Sequence, residues 1–107
     1  MEKAVLFEFQ PTGIRMVIEK LMGGAFHKKV DDFFEVVRFD EDIFDNAEIS
    51  EASRFEALRI LKTYKSLCEA KGIMRIHAIA SSIFHRAKNV KSFLTKSTNI
   101  WALMSIL

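Results

Sequence analysis

A tight turn between two strand-like segments constrains the fold of this chain most. Ala4–Phe9 is a nearly continuous apolar run, and apolar and polar residues alternate from Ile14 onward. The connecting segment is Gln10–Gly13, in which Pro11 fixes φ and Gly13 tolerates a positive φ. Because the alternation has the period of a β-strand, the sequence predicts two strands joined by this turn.

The following segments predict a third strand and then a helix. Gly23 and Gly24 are typical of a two-residue hairpin turn, and Phe26–Arg38 is rich in residues that favour strands. Asp40–Ile49 is predicted to be a polar connection. Ser50 is predicted as the N-cap of a helix that runs over 50–70 and buries its apolar side.

The last third of the chain predicts strand, helix and strand. These are Ile73–Ala80, a helix over Ser81–Thr95, and a final apolar strand, Ile100–Leu107. The predicted order is βββαβαβ, which is an α/β fold with a five-stranded mixed sheet and helices packed on it. Parallel neighbours in such a tail need right-handed crossovers.

Composition limits the classes to which the chain can belong. The 107 residues, half of them apolar, are enough for a single domain over 1–107. One cysteine, Cys68, excludes a disulfide framework. No membrane segment or signal peptide is recognisable, and a net charge of +2 gives no nucleic-acid footprint. We therefore expect a cytoplasmic protein with neither membrane nor nucleic acid as partner.

The residues alone indicate little chemistry. His27, His77 and His85 lie on three different predicted elements, without the local spacing of a metal site. The acidic stretch after Asp40 lacks the glycine that a calcium loop needs, and Cys68 falls on an apolar helix face. We predict no metal site and no catalytic residue. The first turn is open to two interpretations: an ordinary β-turn, or one whose N–H groups bind a phosphate.

Three motifs resemble those of a known family, the exopolyphosphatase / guanosine pentaphosphate phosphohydrolase (Ppx/GppA) family. Val5–Ile18 is in step with the family's opening strand and turn, A-V-I-D-L-G-T-N-S-I-R-L-L-I. Arg38–Ile43 matches R-L-G-E-G-L. Ala80–Asn89, with Phe93–Leu94, matches A-T-S-A-L-R-E-A-K-N followed by F-L. Together the motifs extend over nearly the whole chain.

The resemblance implies a ribonuclease H-like half domain of the actin-like ATPase superfamily. It also implies a vestigial set of phosphate-binding residues, which are Glu8, Thr12, Gly13, Arg15, Ser81, Ser82, His85 and Arg86. The family resemblance allows a divalent cation such as Mg²⁺, but the sequence offers no ligands for it, and we expect no cofactor.

The departures from the family fall on its chemistry. Gln10 and Pro11 replace a glycine and a threonine of the first turn, and Asp40 and Asp42 replace both glycines of the second motif. Proline has no N–H to donate, and the added carboxylates repel an anion. We expect the sequence to stop before the family's catalytic glutamate motif and second lobe.

These observations leave three functions open. The first is a truncated exopolyphosphatase-related domain, inactive alone, that acts as an interaction or regulatory module. Its partner would be a second copy or another protein, bound through the edge of the C-terminal strand. The second is a fragment of an active phosphatase that hydrolyses polyphosphate or guanosine pentaphosphate. The third is a non-catalytic module that binds phosphate or nucleotide.

Overall fold

The computed structural model of the chain describes residues 2–23, 27–73, 75–99 and 105–106. The fold is mixed α/β, and its elements are β1 (Lys3–Gln10), β2 (Gly13–Leu21), β3 (His27–Val36), α1 (Phe39–Asn46), α2 (Glu51–Ala70), β4 (Arg75–Ala80), a 3-10 helix (Ser82–Arg86), α3 (Val90–Asn99) and β5 (Ser105–Ile106).

One mixed sheet organises the fold, with strand order β3-β2-β1-β4-β5. β1 and β2 form the predicted antiparallel pair, in which Glu8 lies opposite Arg15 and Gln10 opposite Gly13. β3 is antiparallel to β2, with a bulge near Ile18, and β4 is parallel to β1. β5 adds two residues beside β4. The remainder of the predicted last strand, Ile100–Leu107, lies outside the described residues.

The hydrophobic core lies between one face of this sheet and the helices. Alternate residues of β1 and β2 are buried, and α2 packs its apolar side on them. A cluster of four phenylalanine rings closes the core near the carboxyl end of β1. Ring centroids in this cluster are 5.0–6.3 Å apart, and the rings belong to Phe9, Phe39, Phe84 and Phe93. In the described residues, no helix is long and apolar enough to cross a membrane.

The predicted polar connection over Asp40–Ile49 is wrong, because residues 39–46 form α1. Phe39 and Ile43 are four residues apart and both are buried, so one side of this short helix faces the core. Ala47 ends the helix in the left-handed conformation, with its N–H donating to the Ile43 carbonyl at 3.0 Å. The order βββαβαβ therefore omits one helix.

The prediction of α2 is confirmed at both ends. The Ser50 side chain accepts a hydrogen bond from the Ser53 N–H at 3.1 Å, and the helix ends at Ala70. The Ser50 hydroxyl also donates to Asp42 at 2.9 Å, so the cap is itself held by α1.

The prediction of a single helix over Ser81–Thr95 is wrong, because two helices form in this segment. The 3-10 helix ends at Arg86, Ala87 is extended, and α3 begins at Val90. Tertiary hydrogen bonds hold the break, because the Asn89 side chain donates to and accepts from the backbone of Ile49. The N–H of residue 88 also donates to the Ala47 carbonyl at 2.8 Å. The interruption satisfies backbone groups that a continuous helix would leave unpaired.

Tyr64 and Cys68 make the stability of the fold sensitive to pH in the alkaline range. Burial is the main cause that raises the pKa of Tyr64 to about 12 and that of Cys68 to about 11, from ordinary values of 10.0 and 9.0. As the pH rises above about 9, the unfolded chain loses these protons before the folded chain does. The free energy of unfolding is therefore expected to fall between about pH 9 and 12.

Urea unfolding at several pH values tests this expectation. Cys68→Ala should flatten the decline from about pH 9, and Tyr64→Phe should flatten it above about pH 10. Tyr64→Phe should also cost about 1 kcal/mol at neutral pH, since the Tyr64 hydroxyl donates to the Ile14 carbonyl at 3.1 Å. The control is Ser66→Ala, at an exposed position on α2. An unchanged pH profile in both test variants would contradict the assignment.

Candidate functional site

The carboxyl ends of β1 and β4 meet at one edge of the sheet. These strands are parallel neighbours, and the Ser81 N–H, directly after β4, donates to the Phe9 carbonyl at 2.9 Å. The turn between β1 and β2 places Thr12 at the same edge. Because ligands of open α/β sheets bind beyond the carboxyl ends of the strands, this edge is the candidate site. We call it the carboxyl-end edge.

The first turn of α1 closes the carboxyl-end edge from the side. The N–H of residue 37 donates to the Thr12 carbonyl at 3.1 Å, and the Asp40 N–H donates to the Pro11 carbonyl at 2.8 Å. This docking brings the acidic first turn of α1 against the β1–β2 turn. The acidic residues are Asp40, Glu41 and Asp42.

Arg38, which directly precedes α1, forms ion pairs with carboxylates of the first turn of that helix. Its Nε and Nη2 each donate to Asp40 at 3.0 Å, and Glu41 lies 3.5 Å from Nη2. The bidentate hydrogen bond from Arg38 is the main cause that lowers the pKa of Asp40. Asp40 also accepts the Glu41 N–H at 2.9 Å. The donors at the start of α1 are thus used within the chain.

Glu8 and Gln10 form a second internal contact near the edge. The Gln10 amide donates to a Glu8 carboxylate oxygen at 2.9 Å, and both side chains are partly buried. Gln10 stands where the resemblance predicts a glycine, so its side chain occupies space that a close backbone approach to phosphate would need.

Arg15 lies opposite Glu8 but is directed toward β3. Its Nε donates to Asp32 at 2.8 Å, and a second guanidinium N–H donates to the other Asp32 oxygen. Lys29 adds a contact to the same carboxylate at 3.2 Å. These hydrogen bonds, above all the pair from Arg15, hold the pKa of Asp32 well below its usual range.

The candidate residues of the third motif do not lie together. Ser81 and Ser82 follow β4 at the carboxyl-end edge, whereas His85 and Arg86 are exposed at the far end of the 3-10 helix. The Arg86 guanidinium lies over the ring of Phe44 on α1, 5.9 Å from its centroid.

Gly13 is closed to any side chain. A Cβ at this position would collide with the Glu35 carbonyl oxygen and with the ring of Phe34. Phe34 therefore covers the position where the family motif has a serine. The sequence carried no signal for this contact, because Phe34 is far along the chain and on another strand.

The predicted residues are thus only partly assembled. Glu8, Thr12, Gly13, Ser81 and Ser82 gather at or near the carboxyl-end edge, while the three cationic or histidine residues point elsewhere or lie apart. Within the described ranges, no group of three or more His, Cys, Asp or Glu residues could hold a metal ion.

The fold is shared with phosphatases of known structure. The Ppx/GppA phosphatase of Aquifex aeolicus, in its type II variant, superposes with a TM-score of 0.87 at 17% identity, covering 100% of this chain and 36% of that chain. An exopolyphosphatase from Cytophaga hutchinsonii gives a TM-score of 0.84 at 10% identity, covering 99% of this chain and 34% of that chain. The chain has the fold of a Ppx/GppA phosphatase N-terminal domain.

This similarity is confined to the fold. No protein-family model matches the sequence, and no curated protein matches it. The chain spans about a third of the length of the solved structures that it matches. The predicted resemblance to the Ppx/GppA family is confirmed at the level of structure.

Restoring the family's serine at Gly13 is expected to destabilise the fold. The new Cβ must displace the Phe34 ring and the backbone of Glu35, so Gly13→Ser should cost about 1–3 kcal/mol. Thermal or urea unfolding measures the loss. Thr12→Ser is the matched control, because Thr12 is exposed in the adjacent turn. Equal stability of the two variants would show that Phe34 does not close this position.

Proposed function

We propose that this chain is an exopolyphosphatase-related domain that does not hydrolyse phosphoanhydrides by itself and acts as an interaction or regulatory module. The observation that carries the proposal is the state of the carboxyl-end edge. Two side-chain donors that would meet a phosphate there are already bonded within the chain: Arg38 to Asp40, and Gln10 to Glu8. In-line attack on phosphorus needs uncommitted donors or cations to stabilise the charge of the transition state.

The charge at this edge supports the same proposal. Glu8, Asp40, Glu41 and Asp42 place four carboxylates in or beside it, and Arg38 is bound by two of them. A polyanion approaching this edge meets repulsion and must also break a bidentate ion pair.

The finer description of the fold belongs to the proposal. We assign the sheet to the ribonuclease H-like class with five strands. The strand order β3-β2-β1-β4-β5 supports this assignment. We also propose a cytoplasmic location, with which a buried thiol at Cys68 is compatible.

The proposed interaction uses the edge of the C-terminal strand. β5 pairs on one side with β4 and is the outer strand of the described sheet. An outer strand presents backbone donors and acceptors that another chain can pair with. A second copy or a partner protein would extend the sheet there.

Calorimetry and phosphate-release assays test the loss of phosphate chemistry. The chain should release no phosphate from polyphosphate or guanosine pentaphosphate, and should give no saturable heat with polyphosphate or ATP. Phosphate release would favour the phosphatase interpretation. Saturable binding without release would favour a phosphate- or nucleotide-binding module.

A substitution at Asp40 tests the physical reason. Asp40→Ala removes a carboxylate and the bidentate partner of Arg38, leaving only the longer contact to Glu41, so weak polyphosphate binding should appear in this variant. Glu48→Ala removes the same charge from an exposed position and should leave the chain without binding. If both variants bind equally, the Arg38–Asp40 pair does not block the site.

Light scattering over micromolar concentrations tests the strand-edge interaction. We expect the apparent mass to rise with concentration above the 12.3 kDa of one chain. A monodisperse monomer throughout would overturn self-association through β5 and leave only a different protein as the partner at that edge.

A further inference from the structure

β3 is the outer strand on the side of the sheet opposite β5. It is ten residues long, and in the described sheet it pairs only with β2. Three large apolar side chains on it are between 42% and 66% exposed: Val30, Phe34 and Val36. The outer side of such a strand presents backbone N–H and C=O groups with which another strand can pair. We call this outer side the β3 edge.

The charges of β3 are divided along its length. Two lysines, Lys28 and Lys29, lie near its start, and three acidic residues follow, Asp31, Asp32 and Glu35. Lysines on an outer strand discourage pairing with an unrelated strand. A second copy in antiparallel orientation instead brings the basic start of each strand opposite the acidic end of the other. The charge pattern therefore favours a second copy as the occupant of the β3 edge.

A bulge in β3 puts two of these charges on the same face of the sheet. Val30 is the extra residue, because the residues before and after it pair with consecutive residues of β2. Lys28 lies opposite Lys20 and Glu35 opposite Ile14, and alternate residues of β2 from Ile14 onward share the helix-bearing face. Lys28 and Glu35 are both exposed on that face.

Neither of these two charges is used in an ion pair within the described residues. Arg59 of α2 interacts with Glu35 electrostatically, but at a distance longer than an ion pair. Lys28 and Glu35 therefore have the capacity to pair with charges of another chain.

One antiparallel register pairs both charges at once. With Asp32 opposite its own copy on a two-fold axis, and the bulge counted, Lys28 of each chain lies opposite Glu35 of the other. The axis is perpendicular to the sheet, so the helices of both copies lie on the same face. A shift by two residues in either direction, the smallest that keeps each side chain on its face, removes both pairs.

The side chains at the axis are compatible with this register. The two copies of Asp32 would be neighbours, but each already accepts hydrogen bonds from Arg15 and a contact from Lys29 at 3.2 Å. The carboxylates therefore meet with their charge compensated. Lys29 also lies opposite Phe34 of the second copy, whose ring is 45% exposed, so the aliphatic part of the lysine has an apolar surface to cover.

The helices leave room for the second copy. α2 lies over β2, since the Tyr64 hydroxyl donates to the Ile14 carbonyl and the Cys68 Sγ lies 3.7 Å from the Met16 Sδ. Across the joined sheet, the two β2 strands would be three strand spacings apart, or about 14 Å. Packed helices approach to about 8–10 Å between their axes, so the two copies of α2 do not collide.

We propose that the β3 edge pairs with the β3 edge of a second copy, antiparallel about a two-fold axis at Asp32, with Lys28 of each chain bound to Glu35 of the other. Such a contact uses the same surface on both chains and therefore closes as a dimer. The inference goes beyond the proposed function, because it uses neither the edge of β5 nor the carboxyl-end edge.

Reversed charges test the pairing. Lys28→Glu and Glu35→Lys each place like charges opposite one another at both ends of the interface. The dimer dissociation constant of each variant, measured by sedimentation, should therefore rise about tenfold. An equimolar mixture of the two variants restores opposite charges at both ends, so it should form a heterodimer about as stable as the wild-type dimer.

A second pair of reversed charges is the control for this experiment. Lys62→Glu and Glu48→Lys change exposed residues outside β3. Each should associate as the wild type does, and mixing them should add nothing.

A cysteine at the axis tests the register. Directly opposed residues of antiparallel strands are about 4.5–5.5 Å apart between Cα atoms, a distance that a disulfide spans. Asp32→Cys should therefore form a covalent dimer when oxidised glutathione accepts the electrons of the two thiols. Val36→Cys is the control, because Val36 is 66% exposed but far from its own copy in this register. The native Cys68 is buried and should not contribute.

Three results would overturn the inference: a monomeric wild type, a mixture of the two β3 variants that associates no better than each alone, or equal cross-linking at positions 32 and 36. Self-association that both Lys28→Glu and Glu35→Lys retain in full would also overturn it, and would instead support the separate proposal for the edge of β5.

Discussion

Four phenylalanine rings hold together the elements on which the carboxyl-end edge depends. Phe9 lies near the end of β1, Phe39 begins α1, Phe84 lies in the 3-10 helix and Phe93 in α3. The rings of Phe84 and Phe93 lie 5.0–6.3 Å, centroid to centroid, from those of Phe9 and Phe39 and from each other. Burying four aromatic side chains is a large part of the stabilisation available to a domain of this size. The cluster requires α1 to dock beside the 3-10 helix, so it also determines where the acidic first turn of α1 lies.

That docking places the acidic first turn of α1 at the carboxyl-end edge, which supports the proposal that the edge does not bind anions. Carboxylates in the first turn stabilise α1 through the helix dipole, and Arg38 neutralises part of their charge. The same residues would oppose a phosphate at this edge. Local stability and phosphate binding therefore make opposite demands on residues 38–42. In this chain, the ion pairs among residues 38–42 stabilise the start of α1.

The sequence predicted the elements whose signal is local. β1 and β2 have the period of strands around a turn, and α2 carries its own cap at Ser50. The sequence missed α1, because its eight residues bury only Phe39 and Ile43, and the partners of Phe39 come from residues 84 and 93. The break after Arg86 was missed for the same reason. It rests on hydrogen bonds from Asn89 to a residue forty positions away.

The candidate site was predictable in its position but not in its state. The motifs gave the turn and the ends of β1 and β4, and the parallel pairing brings them to one edge. Whether a donor at that edge is available depends on the direction of its side chain. Arg15 bonds to Asp32 across seventeen residues, and Phe34 covers Gly13 from a neighbouring strand. Such contacts follow from tertiary packing, so a motif alone cannot separate a phosphate site from a surface that retains only its backbone.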